Sequence, residues 1–165
     1  MMSGDGETAV SIMVIDHRDA AVALQVRHLV DLAAAQEASL LGLAPDARSV
    51  ASVQSSPHLH LGARATDGTL QGLLCIGADD EPAQLAIHTL VVLPSAQRRG
   101  IATALLLDAL ARAPDVAFAV VTAAANAPAL ALYARLGFAA YRQGAMAEGN
   151  VPVLKLRHAV PVKTG

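Results

Sequence analysis

The chain has little of several things, and each shortage closes a class of function. One cysteine, Cys75, stands in 165 residues, so no internal disulfide can form and a reducing compartment is expected. No uninterrupted apolar run reaches the ~20 residues that a membrane helix needs. The opening MMSGDGETAV is acidic and lacks the basic n-region and apolar h-region of a secretory signal. No Lys/Arg block occurs and the net charge is -2, whereas a non-specific nucleic-acid binder needs a basic face. A soluble, cytoplasmic protein with no nucleic-acid or membrane partner is the expectation. Two nucleotide signatures are missing too. No Lys-Ser/Thr follows Gly100 as in a P-loop, and the glycines of G-x-G-x-x-G are absent.

What is present is apolar: 54% of residues are hydrophobic and 16% charged. That balance predicts one globular domain, 1–165, with a core spanning about 8–158 and a frayed tail. TAVSIMVIDHRD (8–19) holds a β-branched first strand, and Asp19 is placed to cap a helix over 20–35, where apolar residues recur at helical spacing. A small second helix is expected within 42–57. HLHLGARA and LQGLLCIGA flank the Asp-Gly turn TDGT and read as a hairpin. AQLAIHTLVVLP (83–94) is a strand ended by Pro94, and a helix follows from about Arg99 to Arg112, with Asp108 and Arg112 paired at i,i+4. VAFAVVTAA (116–124) is apolar without alternation, as parallel strands are when both faces are covered. Strand, helix and strand make one right-handed βαβ unit. Asn126 caps a helix through Leu136, with Gly137 at its C′ position, and two strands close the chain around AEGN. The fold class is α+β: a mixed, mostly antiparallel sheet, one parallel βαβ unit (83–94 and 116–124) and flanking helices.

The most informative stretch is SAQRRGIATALLLDALARA (95–113). A helix N-terminus presents unpaired N–H groups and about half a positive elementary charge. Gly100 in front of it permits close approach, Ala102 keeps the next turn small, and Arg98 and Arg99 can grip phosphate. The pattern is that of a polyphosphate cradle; an ordinary helix start with solvated arginines is the alternative. The segment QRRGIA (97–102) resembles the Q/R-x-x-G-x-G/A signature of the GNAT family of acyl-CoA-dependent N-acetyltransferases. NAPALALYARLGF (126–138) resembles that family's Asn…Tyr…Leu-Gly-Phe helix at the expected distance. Ala102 departs from the usual second glycine.

The resemblance implies acetyl-CoA as cosubstrate, with its pyrophosphate on Arg98, Arg99, Gly100, Ile101, Ala102 and Thr103. It implies main-chain pairing of the pantetheine arm with Leu90, Val91 and Val92, Asn126 beside that arm, and Tyr133 near the sulfur. An amine attacking a thioester needs a proton acceptor, an oxyanion donor and an acid for the leaving thiol. The backbone N–H of Leu90 is the implied oxyanion donor. Tyr133 suits the acid, because a phenol stays protonated at neutral pH; a helix-surface aromatic is the other reading. His88 interrupts the apolar strand and is the candidate base, with a hydrogen-bonded structural histidine as the alternative. Two glutamates known in relatives are absent here, their positions being Val121 and Ala86, which weakens a protein-acetylating role. Glu81 and Glu37 could reach the cleft from loops, but the sequence does not place them.

His58 and His60, on one strand face, lack a nearby cysteine or carboxylate, so no metal is assigned. Cys75 reads as a buried structural thiol rather than an acyl carrier. The expected activity is transfer of acetyl from acetyl-CoA directly to a primary amine, a small molecule favoured over a protein. A non-catalytic acyl-CoA sensor on the same fold is the alternative. Acylation of aminoacyl-tRNA would want a basic surface. Residues 36–60 and the hairpin 143–151 would select the acceptor, and sheet-edge pairing offers a route to a homodimer.

Overall fold

A computed structural model describes residues 9–41, 48–146 and 151–160. The elements run β1 (Val10–Val14), α1 (Ala20–Leu41), α2 (Val50–Gln54), β2 (Leu59–Ala65), β3 (Leu70–Ala78) and β4 (Gln84–Val92). After a 3-10 turn at Pro94–Ala96 come α3 (Ile101–Arg112), β5 (Ala117–Ala123), α4 (Ala127–Arg135), β6 (Ala139–Met146) and β7 (Val151–His158). The expected turn residues AEGN (147–150) and the last five residues of the tail lie outside the described residues, as do 42–47.

Local chemistry sets most boundaries. Asp19 caps α1 through its Oδ2, which accepts from the Val22 N–H at 3.1 Å. Asn126 caps α4 in the same way, accepting from the Ala129 N–H at 3.3 Å. Gly137 follows α4 with φ 94°, the left-handed C′ position expected of it. The Asp-Gly turn closes the β2–β3 hairpin, with Thr69 N–H on Asp67 Oδ1 at 2.9 Å. The helix expected over 20–35 continues to Leu41. The helix expected from Arg99 begins only at Ile101, because Gly100 at φ 79° and Arg98 at φ 67° lie in the left-handed region and cannot continue a right-handed helix.

Seven strands form one sheet in the order β1-β2-β3-β4-β5-β7-β6. Every neighbouring pair is antiparallel except β4 and β5. Both faces are covered. On one, α3 buries Leu105, Leu106 and Ala109 with Leu61, Leu74 and Phe118. On the other, α1 buries Ala23, Val26 and Leu29 with Leu73 and Val91, and Val53 of α2 joins them. This is a three-layer domain. Among the described residues no helix is long and apolar enough to cross a membrane.

The feature that makes a site is a failure of pairing. β4 and β5 run together only at Gln84↔Ala117, Leu85↔Phe118 and Ala86↔Ala119. Beyond them β4 stays on β3 as far as Val92, while β5 stays on β7 as far as Ala123. The two strands splay. The sheet opens there, and the β5-facing edge of β4 over residues 87–92 has no strand partner among the described residues.

Candidate active site

A cleft of about 700 Å³ occupies the splay. Its walls come from α1 (Val30, Ala33, Glu37), β4 (Ala86 to Leu90), β5 (Ala119 to Ala123), α4 (Asn126, Ala129, Tyr133) and the β6–β7 pair. Residues far apart in sequence meet here because β4 and β5 diverge from a common start.

Tyr133 is 5% exposed, and its ring packs edge-on to Phe138 at 5.2 Å between centroids. Burial alone, with no hydrogen bond contributing, pushes the phenol's pKa above its ordinary value, so the O–H persists across the neutral range. Asn126, two helical turns earlier, lines the same cleft. Its Oδ1 serves as the helix cap, which leaves its NH₂ available.

His88 is exposed to the cleft and sits on a β-bulge. Cys75 faces Thr89 and Ile76 faces Ile87, so His88 has no register partner on β3. Bulges re-aim side chains. The His88 Nε2 lies 3.1 Å from the Ala78 carbonyl oxygen. A carbonyl only accepts, so Nε2 carries the hydrogen and, in the neutral ring, Nδ1 holds the lone pair.

At the start of α3, Gly100 caps the helix without any side-chain bond. None of the N–H groups from Arg98 to Thr103 meets an acceptor among the described residues. Arg98 and Arg99 are exposed, and the space that a Cβ would fill at Gly100 is open to 4 Å. Such a run of free amides beside two guanidinium groups has the chemistry of an anion cradle. It stands apart from the cleft walls, although β4 connects the two. Leu90 lines the cleft, whereas the Val91 side chain is 3% exposed and belongs to the core.

The cleft wall also holds a charged knot that sequence reading did not find. Lys155 of β7 is 8% exposed, and its Nζ lies 2.8 Å from Asp79, 2.7 Å from Asp80 and 2.6 Å from Glu81. Glu81 also accepts from the Tyr141 hydroxyl and pairs with Arg142 at 3.3 Å. Gln84 donates to Asp79 at 2.7 Å. Burial opposes ionisation of Asp79, but the bonds from Lys155, Gln84 and the Glu81 amide outweigh it and bring its pKa down to about 2. Burial likewise opposes the Lys155 charge, and its three carboxylate partners raise the pKa regardless. A lysine in the apolar strand VPVLKLRH was the available signal. Of the two carboxylates expected on loops, Glu37 lies instead on α1, which runs on to Leu41, and lines the cleft, while Glu81 is bound into this knot. Val121, 52% exposed, and Ala86 both line the cleft.

Cys75 is 3% exposed, and burial raises its thiol to about 12; it does not reach the cleft. His58 and His60 do not act together as one strand face. His58 precedes β2, and His60 is buried with its Nδ1 on the His58 carbonyl oxygen at 2.9 Å.

The model of the acetyltransferase (GNAT) family matches residues 29–138, the stretch that carries the splay, the cradle and Tyr133. The chain belongs to the GNAT acetyltransferase family. Solved structures share its fold. The ribosomal-protein-S18-alanine N-acetyltransferase of Escherichia coli is 18% identical, with 94% of this chain on 96% of that one and a TM-score of 0.70. A proposed acetyltransferase of Acinetobacter baylyi is 16% identical, with 96% on 98% and a TM-score of 0.77. A proposed acetyltransferase of Salmonella typhimurium, solved with its cofactor acetyl-CoA, is 16% identical, with 94% on 96% and a TM-score of 0.66. No curated protein sequence matches. The GNAT fold and an acetyltransferase activity are therefore the frame within which the cleft is read.

Proposed function

We propose that this GNAT protein moves an acetyl group from acetyl-CoA directly to the primary amine of a small molecule, in the cytoplasm, within one ternary complex. The observation that carries the reading is the splay, because it brings Leu90, His88, Asn126 and Tyr133 onto one cleft. The residues present fit acetyl-CoA. The free amides of Arg98, Arg99, Gly100, Ile101, Ala102 and Thr103 suit its pyrophosphate, and the unpaired edge over Leu90, Val91 and Val92 suits the amides of its pantetheine arm. When bound, it supplies an activated acyl thioester.

The chain's own groups divide the remaining work. The Leu90 N–H, on the open edge, donates to the oxygen that gains negative charge. His88 Nδ1 accepts the proton from the incoming amine, while Nε2–H stays on Ala78. The Tyr133 hydroxyl donates its proton to the departing thiolate. Asn126 offers its NH₂ beside the same path. Glu81 is not assigned proton transfer, because Lys155, Tyr141 and Arg142 already engage it. Apolar Val121 and Ala86 leave this cleft without the glutamates of some protein-directed relatives, which favours a small acceptor.

The test is thiol release from acetyl-CoA across an amine library, with wild type and His88→Ala compared. Turnover is expected to fall about 10²-fold or more in the variant, with the CoA-induced rise in Tm intact. No thiol release with any amine, despite CoA binding, would replace the enzyme with an acyl-CoA sensor.

A further inference from the structure

Four histidines form two stacked pairs, His58 with His88 and His17 with His60. The rings of His58 and His88 lie 4.1 Å apart and 3° from parallel. Those of His17 and His60 lie 3.9 Å apart at 12°. The first stack depends on Gly77. A Cβ there would stand 2.4 Å from His58 Cδ2, closer than real contacts allow, and a tight 3.1 Å from His88 Cδ2. The stack also forms a partition. His88 lines the cleft, while His58, with His17 and His60, lines a second hollow of about 490 Å³.

We propose that His58 is a positioning residue for the acetyl transfer, clamping the His88 ring so that Nε2–H stays on the Ala78 carbonyl and Nδ1 faces the acceptor amine. The inference rests on the reading of His88 as the proton acceptor. An imidazole on an exposed bulge is free to rotate about two side-chain bonds. The bond to Ala78 fixes one atom, and a flat ring at van der Waals distance fixes the plane. Together they select one tautomer and one orientation, as a base aimed at a substrate requires.

His58 must stay neutral to serve this way. Two imidazolium ions ~4 Å apart repel strongly, so the stack takes up a second proton reluctantly. Burial first, then the basic neighbours His88, Arg48 and His17, lowers the pKa of His58. Burial and these neighbours thus favour the neutral form of the ring behind the base. The charged groups sharing the cleft wall with His88 are Arg48, beside the stack, Glu37 of α1, and Asp79, Asp80, Arg142 and Lys155 of the charged knot.

The test compares His58→Ala, His58→Phe and Gly77→Ala in thiol release, with the His88 tautomer read from imidazole ¹⁵N shifts. His58→Ala should lower kcat about 10-fold or more, at the modest end of proton-transfer effects, with KM for acetyl-CoA unchanged. His58→Phe keeps a flat ring and should retain most activity. Gly77→Ala should reproduce the loss with all four histidines present. His58→Ala should cost nothing further in a His88→Ala background. Wild type should show the Nε2–H tautomer alone, and His58→Ala a mixture. Wild-type kcat and a single tautomer in His58→Ala, with His88→Ala inactive, would overturn the clamp and leave the base in place. A fully active His88→Ala would remove both. Should the stack variants fail to fold, a mixed His88 tautomer in wild type overturns the proposal by itself.

Discussion

At the start of α3 the protein presents main chain; around Lys155, in the wall of the cleft, it presents side chains. The cradle is six consecutive residues, Arg98 to Thr103, whose amides are free because Arg98 and Gly100 turn left-handed before the helix starts. The knot ties Asp79, Asp80 and Glu81 to Lys155, at a sequence separation of 76 for the first pair. One is fixed by local conformation, the other by which strands lie side by side. A cradle of amides tolerates change in most of its side chains, so it persists as a short motif. A knot of side chains answers to every partner it holds, and its members leave no contiguous mark.

The largest effect should come from breaking the main-chain region. Gly100→Glu places a carboxylate where the cradle would hold phosphate, and its φ of 79° adds strain. The rise in Tm that CoA produces by mass action on the folded state should vanish, with the far-UV spectrum unchanged. Survival of the shift would take the pyrophosphate away from α3.

Next in size is Tyr133→Phe, which removes a hydroxyl and keeps the ring against Phe138. CoA binding should survive, while turnover falls roughly 10–10³-fold. Burial has raised this phenol's pKa, making it a weaker acid, so an acyl donor with a more acidic thiol should recover much of the loss. Full activity with acetyl-CoA would mean that the thiolate leaves without Tyr133.

The smallest effect tests the side-chain region. Lys155→Met leaves three carboxylates together and should cost about 1–3 kcal/mol of stability at pH 7, less than a fully buried pair because Asp80 is open to water. Urea titration measures it, and the CoA shift should persist. The same knot sets an acid limit. A carboxyl lowered to about 2 when folded, against ~3.9 when unfolded, stabilises the fold above the unfolded value and loses that contribution as pH falls from about 4 toward 2. Wild type should lose stability in that window, and Lys155→Met should lose less. An equal loss in both would place the acid sensitivity elsewhere.

Legibility follows the same division. Asp19 and Asn126 announced their helices because a cap needs only a side-chain oxygen and an N–H three residues on. The Asp-Gly turn announced its hairpin for a similar reason. His88 was visible as a polar break in an apolar strand, but its bulge was not, since a bulge is a mismatch between two strands. Lys155 stood out in VPVLKLRH, yet its partners could not be found without knowing that β7 inserts between β5 and β6. Gly77 gave no sign at all; its purpose is room for a histidine nineteen residues earlier and another eleven residues later.

By itself, then, the sequence determined the elements, their order, the glycine-led start of α3 and the spacing from Asn126 to Tyr133, all properties carried by dihedral preference and hydrogen bonds within a few residues. Tertiary structure alone decided where β4 and β5 part, which ring lies on which, and that Glu81 faces Lys155 instead of an acceptor. Those outcomes depend on strand order and on how two curved layers of helix press on the sheet. Contacts of that range are chosen by the energy of the whole core, and no short segment holds the information to choose them.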